Sequence, residues 1–64
     1  MDRYLVQFRE DAQEHFKTDC GFRDGQLDRA RLYVLIVVDE IDHVQEGQVL
    51  DTRTQTCVFR YPQD

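Results

Sequence analysis

The side chains best suited to chemistry lie directly after the most apolar stretch of the chain. Asp39 and Glu40 follow a run that begins at Leu32, and Asp42 and His43 come shortly after them. Three carboxylates and one imidazole are ligands that Mg²⁺ and Mn²⁺ accept. Successive side chains of a strand point to opposite faces, however, so Asp39 and Glu40 reach one ion only if the strand has already turned. The spacing matches no zinc or calcium motif, and we predict neither a metal site nor a cofactor.

The same residues resemble the Walker B strand of AAA+ and helicase-type ATPases. Four apolar residues, 35–38, precede Asp39 and Glu40. The resemblance implies an Asp that orients Mg²⁺ and a Glu that positions the attacking water. That chemistry also needs a Gly-rich loop with a Lys that holds the phosphates. The three glycines of the chain do not lie in such a loop, so an ATPase is not predicted.

Nucleophilic catalysis is a further enzymatic interpretation. Cys57 could act with His15 or His43, but the same side of its segment carries Phe59, which favours packing. Cys20 and Cys57 form no Cys-x-x-Cys pair, so we expect two free thiols with small apolar roles in the core, a disulfide being the less favoured alternative. The sequence therefore predicts a protein that is not an enzyme.

Length and composition limit the fold to one small domain, residues 1–64. In a chain of 64 residues a single core supplies only about 3–5 kcal/mol of net stability. Apolar residues make up 41% of the chain and are concentrated in segments, which is typical of a folded domain. No stretch approaches the roughly 20 apolar residues of a membrane span, and the N-terminus lacks a signal-peptide pattern. We therefore expect a cytoplasmic protein.

Periodicity in the first third of the chain predicts a strand followed by a helix. Residues 3–9 alternate between apolar and polar side chains, which indicates a half-buried strand. Residues 10–20 place Ala12, Phe16 and Cys20 four apart among charged side chains, which indicates an amphipathic helix.

The rest of the chain predicts two more strands. Residues 22–29 contain an Asp-Gly turn signal and are interpreted as a loop, whereas residues 31–38 are β-branched and apolar enough for a central strand. Residues 41–51 form a polar stretch interrupted by Glu46-Gly47 and are interpreted as a loop, with a short helix or a further strand as the alternatives. Residues 52–61 alternate again as the last strand. The predicted fold is α+β: a three-stranded antiparallel sheet with one amphipathic helix packed on one face, in the order strand, helix, strand, strand.

The carboxylates form a candidate surface. Thirteen Asp and Glu against eight Lys and Arg leave a net charge of −5. Acids one helical turn apart are about 6 Å from each other, and alternate residues of a strand about 6.6–6.8 Å, which is comparable to the spacing of phosphates along a nucleic-acid strand. Clustered like charges reduce stability, and sequences accept this most readily where function requires it. The alternative is an acidic surface that only maintains solubility. The predicted partner-binding residues are Glu10, Asp11, Glu14, Asp39, Glu40, Asp42 and Glu46.

In length, acidity and lack of a catalytic motif, the chain resembles the small phage-encoded inhibitors of bacterial defence, the anti-CRISPR proteins in particular, several of which imitate DNA. The resemblance implies a blocker whose carboxylates occupy the Lys- and Arg-lined DNA groove of an effector, such as a CRISPR–Cas complex, in the host bacterial cytoplasm. Such a protein binds neither nucleic acid nor membrane itself.

A second hypothesis is a protein-interaction module, such as an antitoxin, adaptor or subunit. A three-stranded sheet has one face that the helix leaves uncovered, and aromatic side chains dominate interface energetics. Binding through that face, or homodimerisation through it or through an edge strand, would use Tyr4, Tyr33, Phe59 and Tyr61 as anchors.

Overall fold

The computed structural model of the chain describes residues 2–11 and 14–62. Within them, the elements run in the order β1 (Tyr4–Glu10), β2 (Lys17–Phe22), α1 (Leu27–Glu40), β3 (Val44–Asp51) and β4 (Thr56–Tyr61). The strands form an antiparallel sheet in the spatial order β2-β1-β3-β4, with α1 against one face. The predicted α+β class, with a helix on an antiparallel sheet, is confirmed. The prediction of three strands in the order strand, helix, strand, strand is wrong, because a fourth strand is present and two strands precede the helix.

The apolar run 31–38, predicted as the central strand, lies in α1. Because the run is apolar at nearly every position, it fits the two-residue period of a strand and the 3.6-residue period of a helix equally well. In α1, Ala30 and Val34 lie one turn apart and are fully buried, whereas Leu32 and Ile36 are 57% and 51% exposed. Burial of one side of a helix, rather than the β propensity of its valines, decides the structure here.

Residues 10–20, predicted as a helix, contain the end of β1, a connection and most of β2. Cys20 and Phe22 pack against the core, and Cys20 lies opposite Val6 of β1. A spacing of four is also a multiple of the two-residue strand period, so the spacing of the apolar side chains did not distinguish the two structures. Ala12, on which the helix prediction also depended, lies outside the described residues.

Residues 41–51, predicted as a loop, consist mainly of β3. Val49 is fully buried and pairs with Val6 on one side and Phe59 on the other, so β3 is a central strand. The loop prediction depended on Glu46-Gly47 as a point that interrupts regular secondary structure. Gly47 instead lies inside the strand.

Gly47 lies where α1 packs so closely against the sheet that there is no space for a side chain. A Cβ atom added there would lie 2.8 Å from both Cδ1 and Cε1 of Phe8 and 2.8 Å from Cγ1 of Val34. These distances are shorter than ordinary van der Waals contact, so a side chain would push helix and strand apart. Glycine in a strand interior is typical of such close approach.

β4 contains a bulge that changes the position of Cys57. Val49 pairs with Phe59 but Leu50 pairs with Cys57, so Val58 is an extra residue. Cys57 is therefore exposed on the sheet face away from α1, which we call the open face, and its predicted place in the core is wrong. Cys20 is half-buried against the core, as predicted, and both thiols are free.

In the described part of the chain, no helix is both long and apolar enough to cross a bilayer.

Candidate acidic interface

Three elements meet at one end of the sheet: β1 ends at Glu10, α1 ends at Glu40, and β3 begins at Val44. Glu10 pairs with Val44 across the sheet. The backbone N–H of Asp11 donates to the carbonyl oxygen of His43 at 2.8 Å. The short connection between α1 and β3 therefore brings the acids of the helix end beside those that end β1.

Six of the seven predicted acids gather at this end, which we call the acidic end. They are Glu10, Asp11, Glu14, Asp39, Glu40 and Asp42, and all are exposed. Lys17, at the start of β2, lies there as well. The other charged side chains among residues 2–11 and 14–62 are six Asp or Glu and seven Arg, which leave a net charge of +1. The excess of negative charge among the described residues therefore lies at the acidic end, where six carboxylates and one Lys sum to −5.

Two contacts hold acids of this set in place. The Tyr61 hydroxyl donates to Oδ1 of Asp39 at 3.0 Å, which ties the end of α1 to β4 and raises the pKa of Tyr61. Nε2 of His43 lies 3.9 Å from Oε1 of Glu10, an ion pair only when the imidazole is protonated. Both carboxylates remain solvent-accessible, so each can still accept a hydrogen bond from a partner.

The helix dipole makes part of this charge unfavourable. Asp39 and Glu40 occupy the last turn of α1, where the free carbonyl groups carry partial negative charge, and that turn contains no basic residue. A carboxylate in this position reduces stability by about 0.3–1 kcal/mol. Asp39 offsets this cost by accepting the hydrogen bond from Tyr61, whereas Glu40 is kept against the local electrostatics of its own helix.

Glu46 does not join the acidic end. Its Oε1 accepts a hydrogen bond from Nε of Arg9 at 2.7 Å, and Arg9 also donates to Oε1 of Gln45 at 3.0 Å. Glu46 and Arg9 pair across β3 and β1, and the Glu46 side chain is about one quarter exposed. The sequence offered no signal for this pairing, because it depends on the register of two strands that lie far apart along the chain.

The open face of the sheet carries a row of polar side chains that crosses all four strands. The Gln7 amide donates to Oγ1 of Thr18 at 3.1 Å, and the Gln48 amide donates to Oε1 of Gln7 at 2.7 Å. Arg60 Nη2 completes the row by donating to Oε1 of Gln48 at 3.1 Å, while its guanidinium carbon lies 5.8 Å from the centre of the Phe16 ring. The polar side chains in this row thus form hydrogen bonds with one another.

The four aromatic anchors of the second hypothesis do not lie on that open face. Tyr4 is buried, and Tyr33, Phe59 and Tyr61 pack against the same core between helix and sheet. The Tyr33 hydroxyl donates to Oδ2 of Asp19 at 2.6 Å, and this bond raises the pKa of Tyr33 to about 12. Binding through the open face therefore lacks these anchors, whereas homodimerisation stays a prediction.

The side chains first considered for chemistry are not assembled into a site. Asp39 and Glu40 lie in the last turn of a helix and do not follow a strand, so the likeness to a Walker B strand is confined to residue types. Across residues 2–11 and 14–62, no three His, Cys, Asp or Glu side chains are arranged to hold a metal ion. Sγ of Cys57 donates to the carbonyl oxygen of Phe59 at 3.3 Å, a local contact within β4.

The opposite end of the sheet holds an ion-pair network that the sequence did not reveal. Nε and Nη2 of Arg3 donate to the two carboxylate oxygens of Asp51 at 2.9 and 3.1 Å, and Nη1 donates to Asp24 at 2.9 Å. Asp51 is only 5% exposed and also accepts from the Arg53 N–H at 2.9 Å. The Arg3 hydrogen bonds lower the pKa of Asp51. This network joins the start of β1 to the end of β3, so its role is structural.

Comparison with protein-family models, with curated proteins and with solved structures found no match.

Proposed function

We propose that this protein is a non-catalytic inhibitor whose acidic end occupies the basic DNA-binding groove of a bacterial effector, in the place of nucleic-acid phosphates. The observation that supports this is the separation of charge. Six carboxylates that are distant along the chain converge at one end, while the other described residues carry no excess of negative charge. A CRISPR–Cas complex in the host cytoplasm is the first candidate partner, by the resemblance to anti-CRISPR proteins.

The proposed mechanism needs no reaction. Lys and Arg side chains of the groove would donate charge-assisted hydrogen bonds to the exposed carboxylates, and DNA would be excluded because the same cations hold its phosphates. An acidic surface that serves only solubility depends on net charge and gains nothing from placing the excess at one end. The unfavourable position of Glu40 at the helix end supports the same proposal.

The test compares two double variants that change net charge equally. Glu40→Lys with Asp42→Lys alters the acidic end, whereas Asp24→Lys with Asp28→Lys alters exposed acids near the start of α1 and also removes the surface contact of Asp24 with Arg3. Each pair moves the net charge from −5 to −1. The wild-type chain is immobilised and a bacterial lysate is applied at about 50 mM salt, then at about 500 mM, where screening suppresses exposed charge pairs. The retained protein is purified and its binding to the three chains is measured with and without duplex DNA.

The expected partner is a DNA-binding protein that is released by high salt and competed off by duplex DNA. It should bind the Asp24/Asp28 variant like the wild type and should lose at least about tenfold in affinity for the Glu40/Asp42 variant, since two attractive pairs become repulsive. A partner whose binding is insensitive to salt, or which both variants weaken equally, would contradict the proposal.

A further inference from the structure

An apolar groove runs along the free edge of the sheet, on the side of the molecule away from β2. It has a volume of about 760 Å³ and lies between α1 and β4. We call it the edge groove and define it by six of its lining residues: Leu27, Arg31, Leu35, Val58, Phe59 and Arg60. The groove is thus bounded by a helix on one side and by an edge strand on the other.

The edge strand beside the groove has one side that pairs with no other strand of residues 2–11 and 14–62. β4 pairs with β3 only, since it is the last strand of the sheet. Its sequence contains no Asp or Glu and a single charged residue, Arg60, whereas the opposite edge, β2, carries Lys17 and Asp19. Charges and bulges on an edge both discourage strand addition, and since each edge strand has one bulge, the difference in charge makes β4 the more receptive of the two edges. The bulge at Val58 leaves that side chain 42% exposed in the groove.

Positive charge flanks the groove although the chain as a whole is acidic. The guanidinium carbon of Arg31 lies 5.2 Å from the centre of the Phe59 ring, over the groove wall. Its contact with Asp28 is long, 3.8 Å, and the Asp28 side chain is almost fully exposed. Arg60 of β4 also lines the groove, but its guanidinium group donates to Gln48 on the open face, so Arg31 supplies the charge that faces the groove. A ligand with a carboxylate would therefore meet complementary charge here, unlike at the acidic end.

Apolar surface continues from the groove over the helix. Leu32 is three residues before Leu35 and therefore its neighbour on the helix surface, and it is 57% exposed. Contiguous exposed apolar side chains of this kind indicate contact with another protein.

We propose that the edge groove binds an extended, carboxylate-bearing segment of a partner protein. The segment adds as a strand alongside β4 through backbone hydrogen bonds, places an apolar side chain against Val58 and Leu35, and sets a carboxylate on Arg31. Strand addition of this kind draws affinity from the main chain and specificity from pockets for alternate side chains. The proposal goes beyond inhibition through the acidic end, because it concerns a separate surface of opposite charge.

The experiment uses three fluorescein-labelled hexapeptides and the full chain. The first has the sequence Val-Thr-Val-Glu-Val-Thr, the second replaces its Glu with Lys, and the third carries N-methyl groups that remove its backbone donors. Fluorescence anisotropy measures binding, and amide chemical shifts locate the site. The Glu peptide should bind about three- to tenfold more tightly than the Lys peptide, and N-methylation should abolish binding. Shifts should concentrate in β4 and the facing side of α1.

Two variants and a matched control test the contacts. Val58→Asp should weaken binding of the Glu peptide by about tenfold, through lost apolar contact and added repulsion. Arg31→Glu should weaken the Glu peptide about three- to tenfold and strengthen the Lys peptide. The control is Ile36→Asp, because Ile36 of α1 is β-branched and exposed like Val58 but does not line the groove. This substitution should leave the affinities for the Glu peptide and the Lys peptide unchanged.

Several results would overturn the proposal. They are equal binding of the N-methylated peptide, chemical shifts that map away from β4, and no binding of the Glu peptide up to about 1 mM. Concentration-dependent self-association in sedimentation equilibrium, abolished by Val58→Asp, would assign the groove to a second copy of the chain instead. None of these results bears on the acidic end, whose test uses other residues and DNA competition.

Discussion

The two ends of α1 allow a direct measurement of whether the acidic end is kept at a cost to stability. Glu40 lies in the last turn of the helix and Asp28 in the first, and both side chains are exposed. Glu40→Lys replaces an unfavourable dipole interaction of about 0.3–1 kcal/mol with a favourable one of similar size, so we expect a gain of about 0.6–2 kcal/mol. Asp28→Lys does the reverse at the helix start, and we expect a loss of the same magnitude.

The comparison isolates the helix contribution because both substitutions move the net charge from −5 to −3. Relief of general repulsion acts on both variants, and the difference between them reports the dipole. The Asp28 substitution also removes the long contact with Arg31, worth about 0.2–0.5 kcal/mol for such a pair on a helix. The expected difference in the free energy of unfolding is about 1–4 kcal/mol.

Urea unfolding followed by circular dichroism measures this difference, and thermal unfolding checks it, since 1 kcal/mol shifts the melting temperature of a domain this small by about 4–8 °C. The midpoint should move while the slope of the transition stays constant. If Glu40→Lys destabilises the fold, the carboxylate has a structural role and the argument that function retains it fails. Equal effects of the two variants would show that only total charge matters.

Two further predictions concern the core and the ion-pair network. Gly47→Ala should destabilise the fold by about 1–3 kcal/mol in urea unfolding, because the new methyl group would press on Phe8 and Val34; an unchanged midpoint would mean that helix and sheet are farther apart than described. Asp51 has a pKa below its ordinary value of 3.8 because Arg3 donates to it, so its contribution to stability is present above pH 3.8 and is lost as the pH falls through the lowered value. Asp51→Asn should therefore flatten the fall of stability with acidification in that range, and an unaltered pH profile would contradict the role given to Arg3.

The sequence was sufficient to predict the fold class but not the number and order of the strands. Alternation in residues 3–9 and 52–61 predicted two strands that are present as β1 and β4, because each has one face toward the core, although β4 begins only at Thr56. The run 31–38 could not be assigned by period, since it is apolar at almost every position. Its helical state depends on the space between Ala30, Val34 and the sheet, which is a property of the whole fold.

The candidate site was predictable residue by residue but not as a surface. Exposure of the acids followed from their type, whereas their convergence depends on the pairing of Glu10 with Val44. The same pairing of β1 with β3 neutralises Glu46 through Arg9, which no local pattern indicates. The edge groove was also missed, because the extra residue Val58 cannot be recognised as a bulge before the register is known.

The concentration of negative charge at one end of the sheet gives the protein an electric dipole moment. In the field of a cationic surface such a molecule experiences a torque as well as an attraction, so it rotates to present that end during diffusion. Fewer collisions then occur in unproductive orientations. Moving the same carboxylates around the surface would preserve the overall attraction and abolish the alignment, and the association rate constant would fall while the total charge stayed the same.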